Sequence, residues 1–278
     1  MQTAVRKPIK RILVLHDLCS AGKAAMTNIL PVLSVMGAEV SPLPTMILST
    51  HTGGYGKPVI RDLSGFGGDC AVHLKSSGFS FDALFLGYLG NQANIEEAKR
   101  ILGMFPDAFV LFDPIMADHG SFYSNFDEAY GRSLKELLAY SSVATPNYTE
   151  ACLLSGEPYE PVCTREKLAR IREGILESGK AKIVITSIPL SDSYGIGILD
   201  GKETILYPYQ LKGRAYPGTG DLFAAVLLGS LMKGSSLYES VEKAHEFVSL
   251  CISRSDEAGY DTREGVLLEP NLSKLIVG

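Results

Sequence analysis

The run Tyr216-Pro-Gly-Thr-Gly-Asp-Leu-Phe-Ala-Ala225 sets three small residues, Gly218, Thr219 and Gly220, directly before one carboxylate, Asp221. From Leu222 to Met232 the chain is apolar and reads as a buried helix. A helix start presents unpartnered backbone N–H groups and partial positive charge, which suits an anion. Glycines ahead of it let the backbone approach a phosphate closely. An acid inside such a nest needs a chemical task. Taking the proton from an alcohol as it attacks a phosphoryl group is one.

Elements that could position this acid follow from periodicity. Short runs rich in Ile, Val, Leu and Phe predict strands at Ile12–Leu15, Glu39–Leu43, Ala83–Leu86, Phe109–Asp113, Val143–Thr145, Ile183–Thr186, Tyr194–Leu199 and Thr204–Tyr207. Three- and four-residue apolar spacing between them predicts helices, as at Ile95–Phe105, Ser133–Leu138 and Glu166–Leu176. Strands apolar on both faces that alternate with helices indicate an α/β fold, with a mostly parallel central sheet and helices on both faces. Asp200-Gly201 joins the two late strands as a hairpin, which adds an antiparallel edge. Pro31 is expected to kink the first helix. Ser49-Thr-His-Thr-Gly-Gly-Tyr-Gly-Lys-Pro58 reads either as a mobile lid or as an ordinary surface turn. With no internal repeat and no long linker, residues 1–278 read as one domain.

In an open parallel sheet, ligands collect beyond the carboxyl ends of the strands. After the expected strands come Asp113-Pro114 with Asp118, then Thr145-Pro-Asn147-Tyr-Thr-Glu150, then Thr186-Ser187, then the Gly218–Asp221 turn. Carboxylates and hydroxyls recurring at one edge suit a magnesium–polyphosphate site, where acids act on the ion directly or through water. Each segment also has a local reading: a strand end at Asp113-Pro114, a capping box from Asn147 to Glu150, turn residues at Thr186 and Ser187. The histidines His16, His51, His73, His119 and His245 show no metal-ligand spacing and read mostly as structural or surface residues. Gly22-Lys23 belongs to no Walker loop, and neither a G-x-G-x-x-G turn nor a G-x-S-x-G elbow is present.

Composition narrows the class. The chain has 278 residues, 46% hydrophobic and 21% charged, an ordinary globular balance. A net charge of -5 argues against a nucleic-acid partner, and Arg6-Lys7-Lys10-Arg11 reads as a solvated terminus. No apolar run approaches the roughly 20 residues of a membrane span, and none forms a signal-peptide core with a cleavage site. The five cysteines (19, 70, 152, 163 and 251) are dispersed, with no C-x-x-C pair, and point to reduced thiols in the cytoplasm.

In their order, Asp113-Pro-Ile-Met-Ala-Asp118, Thr145-Pro-Asn-Tyr-Thr-Glu-Ala151, Val184-Ile-Thr-Ser187 and Gly218-Thr-Gly-Asp-Leu-Phe-Ala-Ala225 resemble the ribokinase-like superfamily, over nearly the whole chain. With Leu48-Ser-Thr-His-Thr-Gly53, the sequence looks most like the pyridoxal kinases within it. The resemblance implies a ribokinase-like three-layer α/β/α sandwich and an ATP-dependent vitamin B6 kinase. Asp221 would be the general base and the N–H groups of Gly218, Thr219 and Gly220 the anion hole. Asp113, Asp118 and Glu150 would organise Mg²⁺ and the ATP phosphates, with Asn147 beside them, while Thr145, Thr186 and Ser187 would touch the nucleotide. Thr45, Tyr88 and Tyr123 would lie near the acceptor ring, with His51 on the closing flap.

The resemblance also suggests a homodimer and leaves a K⁺ requirement open. At the first strand end, His16-Asp17-Leu18 departs from the Ser-His-Val of the better-known pyridoxal kinases. An acid there, Asp17, is similar to the hydroxymethylpyrimidine kinases, whereas Asp221 and the flap pattern are not. A sugar kinase and a non-catalytic B6 or nucleotide sensor are the remaining alternatives.

Overall fold

Strand β1 (Arg11–Ala21) sorts its side chains by parity: Ile12 and Val14 join one core, Leu13 and Leu15 the other. The same alternation governs β4 (Ala83–Leu86), where Ala83 and Phe85 oppose Leu84 and Leu86, each fully buried. Between these two strands the chain lays down β2 (Glu39–Thr50) and β3 (Ile60–Asp62). After them come β5 (Phe109–Phe112), β6 (Ala117–Asp118), β7 (Ser121–Phe122), β8 (Val143–Ala144), β9 (Lys182–Pro189), β10 (Tyr194–Asp200) and β11 (Glu203–Tyr209). A period of two on strands buried from both sides requires a helical layer on each face.

Those layers are present. Helices α1 (Met26–Val35), α7 (Thr219–Met232) and α8 (Leu237–Glu257) pack on the Ile12–Val14 face. Helices α2 (Phe66–Ser76), α3 (Gln92–Met104), α4 (Glu128–Lys135), α5 (Tyr148–Ser155) and α6 (Arg165–Leu176) cover the other. This computed structural model describes residues 9–177, 179, 181–201, 203–210 and 213–276, so Arg6 and Lys7 lie outside the described residues.

Nine strands form one sheet in the order β11-β10-β9-β8-β5-β4-β1-β2-β3. From β2 across to β9 the ladders are parallel; β3, β10 and β11 are antiparallel. The three-layer ribokinase-like sandwich with an antiparallel edge is therefore the observed fold. Gly201, at φ 58°, turns the β10–β11 hairpin as its dipeptide required. The chain winds from β1 outward to β2, then returns to β4 on the other side of β1. That reversal opens a crevice at the carboxyl end of β1, the usual seat of a ligand in such sheets.

Several boundaries differ from the sequence reading. Strands β5 and β8 stop at Phe112 and Ala144, so Asp113 and Thr145 are the first residues beyond the ladder. Strands β1 and β2 run on together to Ala21 and Thr50, past a register shift between His16 and Leu18. Strand β3 was not anticipated; it folds back on Met46–Leu48 and makes Ser49–Pro58 the tip of a hairpin. Pro42 and Pro44 sit on the part of β2 that β3 does not cover, where no outward N–H is needed. Helix α1 continues four residues past Pro31, so the proline does not end it. No helix among the described residues is long and apolar enough to cross a membrane.

Candidate active site

A cavity of about 660 Å³ opens beyond the carboxyl ends of the parallel strands. Every site residue inferred from the sequence lines it except Thr45. Helix α7 brings Asp221 there because ten consecutive residues, Asp221 to Ser230, are buried on all sides between the sheet, α1 and α8. Each fully buried Leu in that body contributes roughly 2 kcal/mol, which fixes the helix start against the cavity.

The start of α7 is open. Five helices are capped by side chains: Asn91, Asp127, Asn147, Thr164 and Ser236. Gly218, which precedes α7 at φ 78°, has no side chain to offer, and the first-turn N–H groups keep their donor capacity for an anion. Asn28 holds this turn in place by donating to the carbonyls of Gly218 and Lys23, both at 2.9 Å.

Asp221 faces the cavity between two supports. Its Oδ2 accepts the Ala25 N–H at 2.5 Å, and its Oδ1 lies 3.2 Å from His16 Nε2. Ala25 has φ 57° and ψ -140°, a conformation usually reserved for glycine, so local strain is held where the carboxylate is aimed. His16 Nδ1 lies 2.7 Å from Asp17 Oδ1, and the ring is 1% exposed. Burial alone would push this imidazole down, but Asp221 and Asp17 outweigh it and raise it to about 10. The Asp17 N–H also reaches Nδ1, at 3.0 Å, so the ring is seated between Asp17 and Asp221.

The other acids differ in kind. Asp113, 6% exposed, is raised to about 7 by burial and by Asp221, with His16 and the Thr145 hydroxyl pulling the other way. Glu150 is raised well above the ordinary range, by burial first and then by Asp113. Its Oε2 accepts the Asn147 N–H at 2.9 Å in a complete capping box, while Oε1 accepts the N–H of Met116 at 3.0 Å. Asp118 is half exposed at the mouth, on the β6–β7 turn, and accepts the His119 N–H at 2.8 Å. The capping-box reading of Asn147–Glu150 is correct, yet the same residues line the cavity. These acids offer oxygen donors of the kind Mg²⁺ prefers, although among the described residues no three His, Cys, Asp or Glu side chains are gathered closely enough to hold an ion by themselves.

On one side of the cavity, an isolated bridge between Asn147 and Thr186 extends the β8–β9 ladder into the site. Ser187 has φ 56° beside a register shift between β9 and β10, a second strained backbone at the cavity. On the opposite side, Tyr88 Oη accepts from Asn125 Nδ2 at 2.8 Å, and burial raises the Tyr88 phenol. Tyr123 lines the same wall from the loop after β7, its phenol raised by burial and by Glu150. Asp17 is buried, with Cys19 Sγ 3.5 Å from its Oδ2.

Thr45 corrects the sequence reading. It falls at the β2 register shift opposite Asp17, where its hydroxyl turns from the cavity and donates to the Tyr88 carbonyl at 2.9 Å. It supports Tyr88 from behind. His51 Nε2 donates to the Arg263 carbonyl at 2.7 Å and Nδ1 accepts the Gly53 N–H at 3.1 Å, which ties the flap down.

His16, Ala25, Asn28, Asn125 and Arg263 were missed by sequence reasoning. Only the first had a signal, its place beside Asp17 at a strand end; Arg263 lies 212 residues from the histidine it holds.

Residues 72–265, more than half of the chain, match the phosphomethylpyrimidine kinase family, and the chain belongs to that family. A Bacteroides thetaiotaomicron protein given that name superposes with a TM-score of 0.92 at 33% identity, over 99% of this chain and 97% of its own. A second crystal form of it contains pyridoxal. Pyridoxal kinase from Lactobacillus plantarum is 31% identical with a TM-score of 0.90, over 96% of both chains. A Bacillus subtilis hydroxymethylpyrimidine/phosphomethylpyrimidine kinase is 33% identical over 172 residues, 60% of this chain and 62% of the relative.

Two glycines at the start of α7 should separate folding from chemistry. A Cβ on Gly218 would overlap the Lys23 carbonyl and sit 2.7 Å from Ala24 Cα, so Gly218→Ala should cost about 1–3 kcal/mol in urea unfolding. A Cβ on Gly220 meets no atom within 4 Å. Gly220→Ala should keep wild-type Tm while turnover falls on the order of tenfold, through crowding of the N–H cradle. Asp113 makes a second prediction. Between about pH 4 and pH 7 the native protein holds a proton there that the unfolded chain has released, so stability falls as pH rises through that window. In EDTA at pH 8, Asp113→Asn should be more stable than wild type by about 1–2 kcal/mol, an advantage that vanishes near pH 4.

Proposed function

We propose that this chain is an ATP-dependent kinase that phosphorylates the primary hydroxymethyl group of a B6 vitamer: pyridoxal, pyridoxine or pyridoxamine. One observation carries the reading. A buried carboxylate, Asp221, stands at an uncapped helix start in the same cavity as Asp113 and Glu150. Phosphoryl transfer asks for little more than an aimed base, an anion cradle and a cation site. Asp221 takes the hydroxyl proton as that oxygen forms its bond to the γ-phosphorus and ADP leaves. The N–H groups of Gly218, Thr219 and Gly220 face the oxygens of the transferring group.

Asp113, Asp118 and Glu150 would hold Mg²⁺, directly or through water, and the ion would screen the polyphosphate charge. Thr145, Asn147, Thr186 and Ser187 line the nucleotide side; Asp17, His51, Tyr88 and Tyr123 line the acceptor side. The relatives named for pyridoxal, one of them crystallised with it, support the B6 assignment. We read the described residues as one kinase domain that works as a homodimer in the cytoplasm, where its five free thiols stay reduced.

A second reading is hydroxymethylpyrimidine kinase. It is favoured by Asp17 at the end of β1 and by the Bacillus subtilis relative. Both acceptors are small hydroxymethyl heterocycles, and the transfer machinery would serve either.

ATP consumption measured separately with pyridoxal, pyridoxine, pyridoxamine, hydroxymethylpyrimidine and ribose separates these readings. Turnover with a B6 vitamer at the highest kcat/KM is the expected result, and preference for the pyrimidine would establish the alternative. Tight binding without turnover of any acceptor would point to a sensor. In the same assay Asp221→Asn should lower kcat on the order of 100-fold or more with Tm preserved. Near-normal turnover of that variant would remove Asp221 from the role.

A further inference from the structure

We propose that His16 is the positioning residue of this site: its ring locks Asp221 and Asp17 in fixed relation, so base and acceptor-recognition group move as one. The inference rests on the reading of Asp221 as the base and extends it to a residue on a different strand. Three independent observations carry it.

The ring has a built seat. It lies edge-on to Phe85, with centroids 6.2 Å apart and planes at 82°. It fills the space beside Gly87, where even a Cβ would overlap its Cδ2 and Nε2. Gly87, the first residue past β4, is itself fixed by its N–H bond to the Leu15 carbonyl at 2.9 Å, so the gap there lies directly beside the residue that fills it.

Both ring nitrogens face carboxylates. Nδ1 lies 2.7 Å from Asp17 Oδ1, and Nε2 lies 3.2 Å from Asp221 Oδ1. With Asp221 Oδ2 on the Ala25 N–H and the imidazole beside Oδ1, the carboxylate is flanked at both oxygens, which restricts its rotation about χ2. A base held this way keeps its reactive lone pairs aimed at the bound hydroxyl, and misplacement by about 1 Å can cost about 100-fold.

The surroundings are anionic. The acids that face the ring are Asp17 from β1, Asp221 from α7 and Asp113 beyond β5. The ring draws the Asp113 acidity back toward its ordinary range, so its loss would leave Asp113 harder to ionise.

The test compares His16→Ala, His16→Asn, Gly87→Ala and His16→Ala/Gly87→Ala with wild type and with Asp221→Asn, each with Tm recorded. For His16→Ala the expected result is a fall in kcat of about 10- to 100-fold, with the acceptor KM raised and the ATP KM within about twofold. The acid limb of kcat/KM should move up by about one pH unit. Gly87→Ala, which leaves the imidazole intact but displaces it, should reproduce these changes. The double variant should be no worse than either single one, because both remove the same interaction.

Wild-type kcat and an unmoved acid limb in His16→Ala would overturn the inference, as would losses that multiply in the double variant. A fall in Tm with an unmoved acid limb would also overturn it and leave His16 a packing residue. If His16→Ala does not fold, His16→Asn and Gly87→Ala decide by the same criteria. An inactive Asp221→Asn beside a normal His16→Ala would refute the role of His16 alone, whereas an active Asp221→Asn would refute the reading beneath it.

Discussion

Asp17, Asp113, Glu150 and Asp221 converge on one end of the sheet, all of them buried, and like charges in a low-dielectric setting repel strongly. The structure relieves them unequally. Glu150 takes backbone N–H groups on both oxygens, and Asp221 takes one from Ala25 and faces His16 with the other. Asp113 has the Thr145 hydroxyl beside it and no backbone donor, and its acidity moves to about 7. Asp113 and Glu150 both stand above their ordinary range, each raised by burial and by a neighbouring acid.

The sheet makes this crowding possible. Parallel strands all deliver their carboxyl ends to one edge, and the return from β2 to β4 around β1 leaves a crevice there. Acids at the register shift of β1, immediately beyond β5 and at the start of α7 reach the same space without any long loop. The register shift between β1 and β2 matters as much. It lets Asp17 face the cavity while Thr45 on the neighbouring strand turns behind Tyr88.

Much of this was legible in the sequence because the informative residues are local to strand ends. Asp113, Thr145 and Gly218–Asp221 each follow an apolar run whose period is unambiguous, and the sandwich followed from the same runs. The reading failed where a long-range contact or a register shift decides the outcome. Thr45 was misplaced because a two-residue periodicity carries no information about a bulge opposite it. Strand β3, β6 and β7 are three residues or fewer, too short for any periodicity to appear. His16 was set aside because no other histidine stands at ligand spacing, and its partners are a neighbour in sequence and a helix 205 residues away in chain numbering (221 − 16).

The two halves of the cavity are built on different principles, and this bears on why similar chains carry names for different acceptors. The transfer half rests on strand ends and helix starts, closed by a capping box and by two strained backbones that surrounding packing holds in place. The other half rests on the β2–β3 flap and the loop after β7, held by a few contacts between distant segments. His51 reaches the Arg263 carbonyl, and the Arg263 guanidinium lies 5.5 Å from the Tyr55 ring centroid. Gly22 and Gly54 permit this docking, since a Cβ at Gly22 would meet His51 Cδ2 at 2.6 Å and one at Gly54 would meet Arg263 Cγ at 2.8 Å. Substitutions on the flap or loop reshape the acceptor wall without disturbing the rigid transfer half, so the reaction can stay constant while the heterocycle changes. His16 is the exception. It belongs to the rigid half through Asp221 and to the other half through Asp17, and so restricts how far one can vary without the other.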